Sequence, residues 1–393
     1  MTLRRVLSLA LMLGATATSA HAQQATQEET ARQATSFELV PRAFIQLDWR
    51  GYPDWTVAPG TGRLDLDTFQ VRRLRGGVDG RWRRVAFELT LDPQDVDGTL
   101  VKDAYAELRA GEYRIRAGQF KPPGSREYST AARNIDLLER AALARSLAAH
   151  RDIGVMVHGD LGTRVDYDVG LFAGDDNGSN RRSGLTGAGR LEWEPGIDLI
   201  VGVFGSEGRV MAVDEEPENG ISGRLPSGYR FFEDVYVRGT RRRIGGDVEW
   251  SPGRWQFTVE ALRVRDEREG QGVDFDDLPS VVGVGASATA RWRFAPRREV
   301  VARYEYLGFD DVGPATALAG VRPRAADLRA RSGQTVTLGG SWRAVAWARL
   351  MANAGAEWFS EPRSAPEPGR RGVYWTFGTR LQVELPAALG FGR

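Results

Sequence analysis

Apolar and polar residues alternate with a period of two along most of the chain. Ala43, Ile45, Leu47 and Trp49 are apolar, with Arg42, Gln46, Asp48 and Arg50 between them. Val85, Phe87, Leu89 and Leu91 alternate with Ala86, Glu88, Thr90 and Asp92. The same pattern runs through Ala288–Phe294, Val300–Tyr306 and Trp375–Glu384. Alternation of this kind gives a β-strand one apolar and one polar face. The connectors alternate as well. Turn-like links occur at Asp79-Gly80, Ala110-Gly111, Asp160-Gly162, Pro195-Gly196, Pro252-Gly253, Ala295-Arg297 and Ala344-Val345. Long polar links fall near 51–66, 93–98, 120–150, 175–183, 206–229, 267–280, 309–332 and 360–371. Seven short and eight long connectors predict about sixteen antiparallel strands with both ends of the sheet on the short-turn side. Many strands approach the roughly ten residues that a tilted strand needs to cross a bilayer.

The polar faces carry full charges: Arg73, Arg75, Asp103, Glu107, Arg190, Glu192, Asp247, Glu249 and Glu357. In a soluble sandwich two apolar faces would meet, and the opposite faces would be wet only at the outside. Here every strand has a wet side and an apolar side. Trp49, Trp193, Trp250, Trp255, Trp292, Trp342 and Trp358 sit near strand ends, as interfacial aromatic girdles do. The fold expected is all-β, a transmembrane antiparallel barrel whose short turns are periplasmic and whose long loops are extracellular.

The start of the chain fits export. Arg4 and Arg5 precede an apolar stretch from Val6 to Ala17, and Ala20-His21-Ala22 is a small-x-small cleavage site. The expected organisation is a signal peptide over 1–22, a flexible periplasmic segment over 23–36, the barrel over 37–385 and a tail over 386–393. No later run of apolar residues is long enough for a transmembrane helix.

Composition narrows the chemistry. The 393 residues include 53 basic and 52 acidic ones, for a net charge of +1 that cleavage after Ala22 would take to −1. Cysteine is absent, which removes disulfides, Cys-zinc sites and thiol catalysis. His21, His150 and His158 are the three histidines, and no serine-His-acid constellation can be assembled around them. The chain therefore reads as a non-enzyme with no implied cofactor and no metal centre. Gly174–Gly178 and Asp274, Asp276 and Asp277 offer oxygen ligands for calcium, but such runs more often form turn-rich exposed loops. No nucleic-acid partner is expected.

The link at 120–150 is the longest of the eight and has helical spacing at Ile135, Leu138, Ala142 and Leu143, with Asn134 placed to cap it. Its cations are Lys121, Arg126, Arg133, Arg140 and Arg145, with Arg151 at the return; Glu127, Asp136 and Glu139 offset them. Arg133 and Arg140, seven apart, would share one face of a helix. On the wall, parity turns Arg42, Arg73, Arg75, Arg114, Arg116, Arg190, Arg291, Arg303, Arg349 and Arg380 toward the interior. Guanidinium groups bind phosphate oxygens bidentately and stay charged. The same arginines can instead pair across strands with interior acids, and the pattern alone leaves both roles open.

Several blocks resemble the phosphate-selective porin O/P family. They are "KDAYAEL" (Lys102 to Leu108), "IRAGQFKPP" (Ile115 to Pro123), "RDIGVMVHGDL" (Arg151 to Leu161), "YDVGLFAGDDNG" (Tyr167 to Gly178), "GDVEWSPGRWQFTVEAL" (Gly246 to Leu262), "ARYEYLGFDD" (Ala302 to Asp311) and "RLQVEL" (Arg380 to Leu385). The resemblance implies a sixteen-stranded, homotrimeric channel in the Gram-negative outer membrane, with its third loop folded into the lumen. It implies passage of phosphate-like inorganic anions, with outer-membrane lipid around the wall. A weakly selective general porin, or a structural or adhesion barrel sealed by the third loop, remain the alternatives.

Overall fold

The computed structural model describes residues 37–53, 68–94, 100–174, 184–211, 221–235, 237–271, 276–310, 331–359 and 372–385. The expected leader, the 23–36 segment, the 386–393 tail, most of the "GDDNG" run and Asp274 lie outside them.

Sixteen strands close into one antiparallel barrel. In chain order they are β1 (Phe37–Gly51), β2 (Thr68–Trp82), β3 (Val85–Leu91), β4 (Val101–Ala110), β5 (Tyr113–Phe120), β6 (Asp152–Leu161), β7 (Val165–Phe172), β8 (Thr186–Gly196) and β9 (Leu199–Met211). A small hairpin of β10 (Ile221–Arg224) and β11 (Arg230–Val235) stands apart from the wall. The barrel then continues through β12 (Arg238–Trp250), β13 (Trp255–Arg268), β14 (Leu278–Ala295), β15 (Arg298–Phe309), β16 (Arg331–Val345), β17 (Ala348–Phe359) and β18 (Tyr374–Glu384). Closure joins β1 to β18, from Phe44 opposite Glu384 to Gly51 opposite Phe377. A closed ladder satisfies the backbone of every strand, which a bilayer demands.

Period-two parity decides which side each residue takes. Gln46, Asp48 and Arg50 are buried while Leu47 between them is exposed, and the same contrast separates Glu260 from Val259 and Arg303 from Tyr304. The outward rows are apolar. At the short-turn ends of β12–β14, Trp250, Phe257, Trp255, Trp292 and Phe294 form a continuous aromatic series with neighbouring ring centroids 5.5–5.8 Å apart, as an interfacial belt requires.

Several details depart from the sequence reading. The turns expected at Pro195-Gly196 and Ala344-Val345 fall two residues later, at Ile197-Asp198 and Ala346-Trp347. The first short turn is Arg83–Arg84, with Arg83 at φ 53°, and not Asp79-Gly80. Gly80 stays within β2 because its missing side chain seats the Phe87 ring; a Cβ there would come within 1.9 Å of it. The link expected at 206–229 contains the end of β9, and the β10–β11 hairpin begins inside it.

Candidate functional site

Residues 121–151, between β5 and β6, pack against the polar face of the wall. They contain two short helices, α1 (Arg126–Ser129) and α2 (Ala142–Ser146). Ser125 caps α1, its hydroxyl accepting from the Tyr128 N–H at 3.1 Å. The helix expected from Asn134 onward does not form. Ile135 and Leu138 lie in irregular chain, and Arg133 and Arg140 share no helix. The reason is competition for the backbone. Gln46 Nε2 donates to the Ala132 carbonyl (3.3 Å), Gln382 Nε2 to Arg133 (3.0 Å), Arg349 Nη1 to Ile135 (2.9 Å) and Arg303 Nη2 to Glu139 (2.9 Å). The Ala142 N–H donates to Glu305 Oε2 at 2.6 Å. On the other side, Arg190 Nη1 donates to the Gly124 carbonyl (2.9 Å) and Arg243 Nε to Leu147 (3.0 Å). These partners come from strands spread around the cylinder, all on the interior parity.

Glycines in the wall receive the link's apolar side chains. A Cβ on Gly285 would meet Leu143 Cβ at 2.5 Å, one on Gly339 would meet Leu137 Cδ2 at 2.5 Å, and one on Gly378 would meet Leu138 Cδ1 at 2.6 Å. The hairpin extends this core: Leu225, Phe231 and Phe232 join Leu143, Leu147, Leu262 and Phe309 in one buried cluster, with Phe232 stacked on Phe309 at 4.1 Å. Ser227 ties the hairpin to β17 through Glu357 (2.9 and 2.7 Å). The sequence reading missed the hairpin; the aromatic pair after Gly228-Tyr229 was its available signal.

Glu139 is the electrostatic centre of the link. It is 5% exposed, bonded to Arg50 and to Arg72 Nε at 2.8 Å, with Arg145 at 3.8 Å and Arg73 at 3.9 Å. Burial alone would raise its carboxyl. The Arg72 and Arg50 guanidiniums, followed by Arg145 and Arg73, outweigh burial and hold it well below the ordinary carboxylate range. Arg72 is absent from the parity-derived set because a bulge intervenes: Gln46 faces Arg73 but Leu47 faces Val71, so Arg72 is the extra residue and turns inward.

A cavity of about 690 Å³ remains between the link and the half of the wall formed by β1–β8. Nine cationic side chains line it: Arg42, Arg75, Arg114, Arg116, Lys121, Arg126, Arg133, Arg151 and Arg190. Six carboxylates oppose them: Glu88, Asp103, Asp160, Asp166, Asp168 and Glu192. Most of the cations are paired. Arg42 meets Glu88 at 2.8 Å, Arg75 meets Asp92 at 2.8 Å, Arg116 meets Glu107 at 2.6 Å and Arg151 meets Asp103 at 2.9 Å. Arg126 and Arg190 share Asp247 at 2.6 and 2.7 Å. Lys121 Nζ donates to the carbonyls of Tyr128, Ser129 and Thr130 at 2.7–3.2 Å. Arg114 and Arg133 have no ion-pair partner among the described residues. His158 also lines the cavity, with Nε2 3.0 Å from Glu107, and His150 stacks on Tyr128 at 5.2 Å.

The remaining arginines lie elsewhere. Arg140 does not line this cavity; its guanidinium donates to the Glu127 carbonyl and, at 2.5 Å, to that of Thr130. Arg145 donates to Leu225 and Pro226 in the hairpin turn at 3.3 and 3.4 Å. Arg73, Arg303 and Arg380 are at most 8% exposed. Arg303 is held by Glu305 (2.5 Å) and Arg380 by Asp48 (2.6 Å). Arg291 and Arg349 line a second cavity of about 310 Å³ near the short-turn end, facing Asp136 and Glu299 at 2.9 and 2.7 Å. Among the described residues, no group of three or more acidic or histidine side chains could hold a metal ion.

The family model for phosphate-selective porin O and P matches residues 45–274, more than half of the chain. The chain belongs to that family. It is accordingly an outer-membrane channel protein of a Gram-negative bacterium, and its barrel is a porin barrel. Solved porin barrels superpose on it. A trimer form of OmpT from Vibrio cholerae has a TM-score of 0.58 at 13% identity, covering 89% of this chain and 100% of that one. The anion-selective porin of Comamonas acidovorans gives 0.58 at 11% identity, over 89% and 99%. The channel DcaP of Acinetobacter baumannii gives 0.56 at 12%, over 89% and 98%. At these identities the likeness to solved structures is one of fold. No curated protein matches the sequence.

Proposed function

We propose that this porin is a homotrimeric diffusion channel for small hydrophilic solutes with a preference for phosphate-like anions. The link crosses the lumen as the constriction, and the cavity along β1–β8 is the open path. The observation that carries this reading is in the lining of that cavity: of its nine cations, Arg114 and Arg133 have no ion-pair partner among the described residues. Low-dielectric walls focus the field of unpaired charge, while screening over about 8 Å at physiological salt hides charges farther away. Two unpaired guanidiniums at a narrow point can therefore outweigh a near-zero net charge. Arginine suits the task because its fork matches a phosphate edge and stays protonated. The trimer rests on family membership and on the trimer form of the OmpT barrel.

Planar-bilayer recording tests the reading. Discrete conductance steps are expected, with a zero-current potential of the same sign as the chloride equilibrium potential in a KCl gradient. Phosphate added at constant ionic strength should lower the chloride current. A potential near zero would favour a general porin, and an absence of steps a sealed barrel.

A further inference from the structure

Two outward-facing rows of side chains cross the lipid-facing wall from β6 to β13. One runs through paired residues Val155, Leu171, Gly187, Glu207, Arg242 and Arg265. The next runs through Val157, Val169, Gly189, Gly205, Ile244 and Arg263. The glycines leave a furrow of about 750 Å³ on the outside of β6–β9, walled by Val155, Val169 and Leu171, with Glu207 at its edge.

Directly beside Glu207 the rows become cationic. Arg242 and Arg265 are register partners, and like charges placed opposite one another destabilise a sheet. Glu207 compensates Arg242 at 2.7 Å. Arg265 reaches the Ser280 hydroxyl at 3.4 Å, and Arg263 has no ion-pair partner among the described residues. Glu267 lies on the same face, its carboxylate accepting from the Thr240 N–H at 2.9 Å. Three guanidiniums thus face two carboxylates. On other strands the outward positions are Phe69, Ile153, Tyr304 and Trp375, all exposed.

Height along the wall explains what this patch meets. Arg265 lies ten residues beyond Trp255, the short-turn end of β13. At about 3.4 Å per residue that is about 34 Å of strand, or about 26 Å of height at a tilt of ~40°. The apolar band of such barrels is about 25 Å tall, so Arg265 stands at its long-loop rim and Arg263 just below. Leu171 is six residues beyond Val165 and lies within the band. The furrow is therefore at acyl-chain depth and the arginines at headgroup depth of the outer leaflet.

We propose that this surface binds one phosphorylated glycolipid of the outer leaflet, with an acyl chain in the furrow over Gly187, Gly189 and Gly205 and a headgroup phosphate on Arg263 and Arg265. Charge complementarity and the continuity of furrow and arginines along shared rows select this occupant. The phosphate supplies the negative charge that the third guanidinium lacks.

Native mass spectrometry of the full porin in detergent, with added lipid A as probe, tests the assignment. Wild type should retain lipid A and bind its phosphate-free form roughly tenfold more weakly. The R263Q/R265Q variant should lose a similar factor. G189L, which fills the furrow without touching an arginine, should also bind more weakly. Inorganic phosphate at the same concentration should not displace the lipid, because it lacks the chain. All these positions lie outside the lumen, so normal conductance steps certify that the variants are folded. Equal retention of the phosphate-free lipid by wild type, unchanged binding in either variant, or displacement by inorganic phosphate would overturn the assignment.

Discussion

Replacing Glu139 by Gln removes the buried carboxylate shared by Arg50, Arg72, Arg73 and Arg145 while keeping the size of the side chain. Breaking a buried ion cluster from one side typically costs about 3–5 kcal/mol, because the partners are left without compensation. Two features of the structure place this case at the lower end. Arg50 keeps Asp48 at 2.8 Å, and Arg73 keeps the Gln46 side-chain Oε1 at 2.7 Å. Arg72 and Arg145 lose their carboxylate, and because the amide keeps a single acceptor oxygen, Arg72 keeps at most one of its bonds of 2.8 and 3.2 Å. About 3 kcal/mol corresponds to roughly a hundredfold change in an equilibrium, at 1.4 kcal/mol per tenfold. The wall-to-wall ladder of β1–β18 does not involve this side chain, so the cost falls on docking of the link. Hydrogen–deuterium exchange should show the amides of residues 131–147 exchanging roughly a hundredfold faster in Glu139→Gln, with the strand amides unchanged. Unchanged exchange over 131–147 would refute the claim that Glu139 holds the link to the wall.

The same carboxyl sets a pH dependence: because the folded protein holds it below its ordinary value of about 4.3, its contribution is complete above that value and is lost only as pH falls through the depressed one. Channel conductance should therefore be constant from neutral pH to about pH 5, with link loosening confined to stronger acid; loosening already near pH 6 would contradict this. Gly285→Ala places a methyl 2.5 Å from Leu143 and should cost about 1–3 kcal/mol by overpacking. Gly340→Ala, whose Cβ meets only the Glu299 carbonyl at 3.6 Å, should be near neutral, as thermal unfolding in detergent can establish. On the lipid face, Leu89→Arg should cost roughly 2–4 kcal/mol if mid-membrane, whereas Glu88→Gln is mild because Arg42 retains Asp79 at 2.5 Å. Urea titration of folding into vesicles would expose a wrong parity by ranking the two alike.

The wall was legible because period-two alternation is a direct consequence of strand geometry, and a barrel uses it on every strand. All ten wall arginines read as inward-facing carry the interior parity. What parity could not carry is a change of phase. The bulge at Arg72 adds one residue, and every rule based on counting from Leu74 then misplaces it. The turn at Asp79-Gly80 was misread because glycine there receives the Phe87 ring and has no turn to make. In the link, the spacing of Ile135, Leu138, Ala142 and Leu143 reports which side chains are buried, and the helix it suggests gives way to hydrogen bonds from Gln46, Gln382, Arg349 and Arg303. Those donors are hundreds of residues away in several cases, and no local pattern contains them. The same long-range contacts divide the arginines: Arg114 and Arg133 stay open to the cavity, while Arg140, Arg303 and Arg380 are consumed by carbonyls and carboxylates.

The central claim is that the cavity along β1–β8 conducts and that its unpaired guanidiniums set the preference. The zero-current potential of Arg114→Gln/Arg133→Gln, recorded beside wild type in one low-salt KCl gradient, tests it most directly. With conductance steps preserved, the potential of the double variant should move from the chloride side toward zero or beyond, while Arg140→Gln leaves it where wild type stands. A double variant with normal steps and the wild-type potential would contradict the account.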